Sequence, residues 1–486
     1  MSSTSSLPAH DTNHPVPVAA TATLERSVAR HLLILGGILL VGVVLRIVLL
    51  FWFQDLPPRI VDEQSYNQVA VNLVNHGEFS SEPGIPTSLR PPLYPAILAG
   101  VYSVFGVENY QAVRILQVVV SLLTVVLVWR LGSLVFSPRV GLWAAALFCF
   151  YPSFIGLNYL LLTEVFFTFF LCAACTALVL SLKRQSLGWL ALAGVCIGLG
   201  ALTRSILWLF PPVLACFLLV AWRGSFKGRV LAAATVVATA VLTIAPWAVR
   251  NTRLQKTFLT VDCMGGRNFM MGNYQHTPLY RSWDAISIQG EKAWYHEIHT
   301  TYPASERDTQ GKVDKLALRQ GLRFVKSHPW LTFKRDVVKF FDFWGLERAQ
   351  VRGAADGLFG PIPRGGVHLL TLLICGSYVA ALFLGIFGVV LTPPEDRRMH
   401  WLFLLLFAFI CGIHTLVFGH SRYHLPLIPL ICLYAASALV HARTLWHRRR
   451  WPFWLAAGLC LFFASGWVIG LILGDLDRIR RVLGGA

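Results

Sequence analysis

Between His31 and Leu473 the chain returns repeatedly to apolar runs of the length that crosses a bilayer, about 20 residues at ~1.5 Å per helical residue. Inside hydrocarbon each backbone N–H and C=O must find a partner within its own segment, so such runs read as helices. With 55% hydrophobic and only 14% charged residues over 486 positions, a soluble globular fold is excluded. The reading is an all-α polytopic membrane protein.

The formal net charge of +18 does not mark a nucleic-acid partner. Its lysines and arginines are scattered through short loops rather than gathered on one face, which is how topology signals and lipid-headgroup contacts look. Cysteine usage agrees: of the ten, only Cys263 lies outside an apolar run, so no disulfide framework is implied. Cys172-x-x-Cys175 sits within a run that lacks a nearby His or acid and reads as buried and inert.

Residues 1–30, rich in Ser, Thr, Pro and Ala, read as a disordered cytoplasmic tail. Arg26 and Arg30 precede the first span, His31 to Phe53, and favour a cytoplasmic N-terminus. Further spans follow at 111–136, 140–158, 164–182, 187–203, 206–222 and 230–249, then at 369–391, 401–418, 425–440 and 453–473, about eleven in all by the length criterion. The span end and loops holding Arg130 and Arg139, Lys183 and Arg184, and Arg223, Lys227 and Arg229 fall on the cytoplasmic side of this alternation. An odd count sends the C-terminus outside, whereas Arg478, Arg480 and Arg481 favour the cytoplasm. Arg46, inside the first span, is expected either to snorkel to the outer interface or to contact an anionic headgroup.

Four parts result: the tail, an N-terminal transmembrane module over 31–249, an extracytoplasmic domain over 250–366, and C-terminal transmembrane helices over 367–486. The first outer loop, 54–106, is unlike a connector. Gln64 to Val74 is patterned for a short helix along the membrane, ended by Asn75-His76-Gly77. After Arg90-Pro91-Pro92, Leu93 to Phe105 is too short to span and fits an interfacial helix.

On the outer side this alternation collects Asp62, Glu63, Tyr66, Arg90, Tyr94, Glu164, Arg204, Arg250, His420, Arg422, Tyr423 and His424. Carboxylates with several fixed cations at one membrane face suit chemistry on a lipid-linked phosphate: arginine grips phosphate in bidentate fashion, and a carboxylate takes a proton from the nucleophile. Simpler roles exist for several of them. Asp62 can cap the helix that follows, Thr163-Glu164 can be a helix-start signal, and Arg250, Arg253 and Lys256 can be juxtamembrane charges. His414, within a span, is expected to be a hydrogen-bonded core residue. Arg204 lies on the side where arginine is disfavoured, which sets it apart.

Asp62-Glu63 after the first span, Arg90-Pro-Pro-x-Tyr-Pro, Thr163-Glu164, Gly200-Ala-Leu-Thr-Arg204 and Arg422-Tyr-His-Leu-Pro426, in that order, resemble the GT-C membrane glycosyltransferases. That group includes protein O-mannosyltransferases, lipid A aminoarabinose transferases and lipopolysaccharide galacturonosyl or mannosyl transferases. The resemblance covers about Leu40 to Ala436. It implies a GT-C bundle and inverting transfer of a sugar from a polyprenyl-phosphate donor to a hydroxyl of a lipid, glycan or protein, outside the plasma (inner) membrane. It also implies Asp62 as base with Glu63 beside it, Glu164 as a second acidic position and Arg90 as a phosphate contact. Asp62, Glu63 and Glu164 are thus the expected catalytic residues, and Tyr66, Tyr94, Arg204, Arg250, His420, Arg422, Tyr423 and His424 are expected to join Arg90 in contacting phosphate or substrate. A divalent metal ion is the one cofactor it suggests, but Leu89 stands where some relatives have an acidic metal-holding residue. The rival class, a transporter or lipid flippase, usually shows internal repeats and midplane polar groups, and no such repeat is evident.

Overall fold

The computed structural model describes residues 18–54, 56–443 and 450–483. Of the expected N-terminal tail, residues 1–17 lie outside the described residues. From Val18 the chain is already helical: α1 runs Val18–Trp52, earlier than the expected start at His31, because Ala19-Ala20 and Leu24-Glu25-Arg26 are good helix formers. The side chains of Arg478, Arg480 and Arg481 lie outside the described residues.

The first loop forms α2 (Val61–His76), a hairpin of β1 (Ser80–Glu82) and β2 (Ile85–Pro86), and α3 (Leu93–Phe105). The bundle continues with α4 (Tyr110–Val135), α5 (Pro138–Cys149), α6 (Pro152–Leu157), α7 (Glu164–Arg184), α8 (Leu187–Thr203), α9 (Phe210–Ala221) and α10 (Phe226–Gln255). Then come α11 (Gly265–Gly272), α12 (Trp294–Thr301), α13 (Gln310–Ser327), α14 (Pro329–Phe343) and α15 (Arg348–Ala355). The last helices are α16 (Arg364–Leu391), α17 (Arg397–Leu416), α18 (Ile428–Val440) and α19 (Trp451–Leu483).

Among the described residues eight helices are long and apolar enough to cross a membrane. The chain is a multi-pass membrane protein. Three of the eleven expected spans instead meet shorter helices: α5 with α6, α8, and α9 with the 3-10 segment Ser205–Leu209 before it. The break between α5 and α6 follows from Pro152, which lacks an N–H and disfavours helix at Tyr151.

Breaking a helix within a bilayer frees carbonyls, and buried arginines take them up. Arg46 neither reaches the interface nor meets a headgroup: it is fully buried, donating from Nη2 to the Cys149 carbonyl at 3.0 Å and from Nη1 to the Gly42 carbonyl at 3.2 Å. It closes the end of α5. Arg114 does the same where α1 ends, donating to the carbonyls of Phe53 (2.7 Å), Leu56 and Tyr159 (3.1 Å). Charged donors to otherwise orphaned carbonyls are strong bonds in such surroundings.

The span helices divide by burial. Over their most apolar windows α7 and the segment Ser421–Val440 are 83% buried, against 17% for α1 and 11% for α19. The first pair forms the centre of the bundle and the second its lipid-facing rim. Close packing near the centre uses small residues: Gly388 of α16 lies against the Tyr434 backbone, where a Cβ has no room. A smaller core, built on Met270, Tyr274, Ile298, Leu316 and Phe418, holds α11 to α13. The helix break expected at His328-Pro329 separates α13 from α14.

Candidate functional site

Glu63 and Asp62 sit side by side at the start of α2 but face apart, as neighbours on a helix do. Glu63 turns inward. One of its oxygens accepts the N–H groups of Arg59 and Ile60, both at 2.9 Å, and the other accepts that of Leu161 at 2.8 Å. Its carboxylate therefore closes the N-terminus of α2 and ties it to the turn before α7, a holding role that differs from the catalytic one expected. Asp62 turns outward and shares a face with Ser65 and Tyr66.

The helix-capping role considered for Asp62 falls to Glu63. Asp62 instead lies between two guanidinium groups, Oδ1 3.0 Å from Arg90 Nη2 and Oδ2 3.3 Å from Arg422 Nη1, with 30% of its side chain exposed. Arg90 is set by a bond from Nε to Ser65 Oγ at 3.0 Å and by the Tyr66 ring 5.1 Å beneath it. Tyr66 in turn meets Tyr94 edge to face at 5.3 Å, and the Tyr94 hydroxyl donates to Gln117 at 2.9 Å. Burial pushes the Tyr66 phenol up, so it stays protonated. Tyr66 and Tyr94 thus support Arg90 from below.

Glu164, at the first position of α7, is fully buried. Its Oε1 receives Arg422 Nε and lies 2.8 Å from Arg204 Nη1. Arg204 ends α8, whose C-terminus lies beside the N-terminus of antiparallel α7, and it rests over the Tyr423 ring at 5.4 Å and the Phe167 ring at 5.8 Å. Two carboxylates and three guanidinium groups thus form one chain of contacts: Arg90, Asp62, Arg422, Glu164, Arg204. Residues from five separate stretches meet there.

Other expected residues are placed differently. Arg250 straps the first loop to α10, donating to the Thr87 carbonyl at 2.7 Å and the Phe79 carbonyl at 3.2 Å while lying over Trp247 at 4.6 Å. His420 Nδ1 accepts the Arg422 N–H at 3.0 Å. Burial, with Arg422 adding, pushes the His420 imidazole down to about 3, so the ring is neutral and brings no charge to a phosphate. His424 points away from the cluster into a buried pair with Glu347. His414 stacks on Tyr423 at 4.1 Å and 14°.

Beside the cluster opens a cavity of about 1000 Å³, lined among others by Arg59, Ile60, Trp283, Asp342, His420 and Ser421. Two lining residues are near neighbours of the cluster in the chain: Ile60 is two residues from Asp62, and Ser421 adjoins Arg422. The sequence reading did not single out Ser65, Glu347, Trp283 or Asp262. Ser65 carried a signal, since three residues after Asp62 is the same helix face; the others come from loops with no period to read. Asp262 accepts the Met264 N–H at 3.3 Å, and burial, tempered by a hydrogen bond with Ser205, raises its carboxyl to about 6.

No group of three or more His, Cys, Asp or Glu side chains able to hold a metal ion occurs among the described residues. Guanidinium groups stand against both carboxylates of the cluster, so its donor set does not fit a divalent ion.

Residues 89–249 match the family described as dolichyl-phosphate-mannose-protein mannosyltransferase. An undecaprenyl phosphate-alpha-4-amino-4-deoxy-L-arabinose arabinosyl transferase of Pseudomonas aeruginosa (strain LESB58) is 29% identical over 198 residues, 39% of this chain and 36% of that protein. The Yersinia pestis (strain Pestoides F) protein of the same name is 25% identical over 208 residues, 40% of this chain and 37% of that one. The aligned part of the chain thus spans little more than a third of these relatives. The apo crystal structure of the Archaeoglobus fulgidus oligosaccharyltransferase superposes with a TM-score of 0.50 at 16% identity, over 90% of this chain and 55% of that one. At that identity the likeness shows the fold alone, and it is the GT-C fold that the motif order implied.

Proposed function

We propose that this fold carries a glycosyltransferase that moves a sugar from a polyprenyl-phosphate donor to a hydroxyl of a lipid, glycan or protein, on the extracytoplasmic face of the plasma (inner) membrane. The observation that carries the reading is the setting of Asp62: a part-exposed carboxylate on the outward face of α2, flanked by two arginines. The names of the matched relatives, all sugar transferases, favour this chemistry over transport.

The reaction balances with the residues present. Asp62 takes the proton of the acceptor hydroxyl as its oxygen attacks the anomeric carbon from the face opposite the phosphate, which inverts that centre. The bond between that carbon and the phosphate oxygen breaks, and polyprenyl phosphate leaves with the electron pair. Arg90, Arg422 and Arg204 hold the growing negative charge, so the leaving group needs no proton. Glu164, through Oε1, holds Arg422 and Arg204 and sets their positions. The acceptor approaches from the cavity beside Ile60 and Ser421.

The test uses purified protein in nanodiscs with a panel of polyprenyl-phosphate sugars, following release of free polyprenyl phosphate in wild type and Asp62→Asn. Release that falls by about 10²–10⁴-fold in the variant supports Asp62 as base. Donor binding with no turnover in either protein, even with acceptor extract added, overturns the reading in favour of transport or lipid binding.

A further inference from the structure

Arg422, Tyr423 and His424 are consecutive in the 3-10 segment Ser421–Leu427, where side chains leave the axis roughly 120° apart, three to a turn. They take three different directions. Arg422 reaches Glu164 and Asp62, Tyr423 lies between Arg204 and His414, and His424 faces the corner between α14 and α15.

At that corner His424, fully buried, is held on every side. Its Nδ1 lies 2.6 Å from the Phe343 carbonyl and its Nε2 3.1 Å from Glu347 Oε1. Glu347 also accepts from the Tyr151 hydroxyl at 2.5 Å and from the Ser153 hydroxyl. The imidazole is stacked between Tyr378, at 4.5 Å and 9°, and Trp344, at 6.0 Å and 9°. A carbonyl can only accept, so Nδ1 carries a proton. One further proton must then lie between Nε2 and Glu347, since two bare lone pairs at this distance repel. The pair is neutral as a whole and its polar atoms are engaged, which leaves it nothing to offer a phosphate.

We propose that His424 and Glu347 are positioning residues: their hydrogen bond fixes the rotation of the 3-10 turn about its axis and thereby aims Arg422 at Asp62 and Glu164. The proposal rests on the glycosyltransferase reading for its kinetic consequence but not for its geometry. A short 3-10 turn has poor internal hydrogen bonds, so an external anchor decides where the Arg422 side chain points. Glu347 reaches the turn from the N-cap of α15 and is itself held, through Tyr151 and Ser153, at the α5–α6 break, so two distant stretches set a single guanidinium.

The experiment is a double-variant comparison in nanodiscs. Glu347→Leu, Glu347→Gln and Arg422→Lys are made singly, and each Glu347 variant is combined with Arg422→Lys. Binding of polyprenyl phosphate, kcat for its release from a donor, and Tm are read for each. Glu347→Leu is expected to weaken polyprenyl phosphate binding and kcat by about tenfold or more, and Glu347→Gln, whose amide can donate to a neutral Nε2, by about threefold or less. In the Arg422→Lys background the Leu substitution is expected to add less than about twofold to either loss while lowering Tm as it does alone. Losses that multiply fully in both backgrounds, or a Gln variant as impaired as the Leu variant, overturn the proposal. Should Glu347→Leu fail to fold, His424→Gln enters the same comparison. Because lipid phosphate binding is read separately from turnover, wild type that binds without transferring sugar overturns the function and leaves the positioning test intact.

Discussion

Arg422 and Asp62 stand 360 positions apart in the chain and 3.3 Å apart in the fold, and the same guanidinium holds buried Glu164 through its Nε. This one side chain joins the first loop, the start of α7 and the turn before α18. Glu164→Gln removes the charge that two guanidinium groups share in a buried place, leaving both cations partly uncompensated. It is expected to lower Tm and to cut kcat at least about a hundredfold, with Glu164→Asp intermediate, in paired melting and donor-turnover measurements.

Glu63 and Asp62 are expected to separate cleanly. Glu63→Ala deprives three backbone N–H groups of their acceptor and should cost about 1–3 kcal/mol of stability, while kcat per folded molecule stays within about threefold. Asp62→Asn should do the reverse. Thermal unfolding in detergent together with active-fraction kinetics gives both numbers, and a Glu63→Ala protein of normal Tm that lacks activity would return Glu63 to the reaction.

Asp262 gives a pH signature. Its folded-state carboxyl titrates at about 6, above its ordinary range near 3.9, so the folded protein holds a proton that the unfolded chain has released. Stability from this residue is therefore greatest below about pH 4, falls as pH rises towards 6, and is level above that. Subtracting the Tm of Asp262→Asn from that of wild type across pH 4 to 8 should give a difference that declines to about pH 6 and then stays flat. A difference that rises with pH contradicts this placement.

Arg46→Leu is expected to destabilise by about 1.5–3 kcal/mol, the worth of charged-donor bonds to the Cys149 and Gly42 carbonyls. Arg46→Lys should recover little, because a single ammonium cannot reproduce the fork that reaches two helices. Reversible unfolding in mixed micelles measures both. Equal stability of the Lys and Arg proteins would show that charge alone, not the fork, holds the α5 break.

Much of this architecture was readable in the chain because membrane helices announce themselves locally: each must be apolar over its own length. The two helices of the first loop were equally legible from Gly77 and the Pro91-Pro92 pair, which stop and start helices by backbone geometry alone. What the sequence hides is which way a polar residue turns. Asp62 and Glu63 are chemically alike and adjacent, and only the position of the Leu161 N–H separates their roles. His424 and Arg422 share one motif, yet one serves Glu347 and the other the cluster. Arg46 was read against water and headgroups because its real partners, carbonyls at a helix break, depend on a proline a hundred residues away.

The cluster as built holds three positive and two negative side chains, so at rest Asp62 is occupied by its own neighbours. Each of its oxygens faces a guanidinium, Oδ1 that of Arg90 and Oδ2 that of Arg422. On the proposed reading, an arriving lipid phosphate competes for the same two arginines and, by winning them, hands Asp62 its freedom. The interlock would impose an order, donor before acceptor activation. It would also keep Asp62 engaged by its arginines whenever the donor is absent.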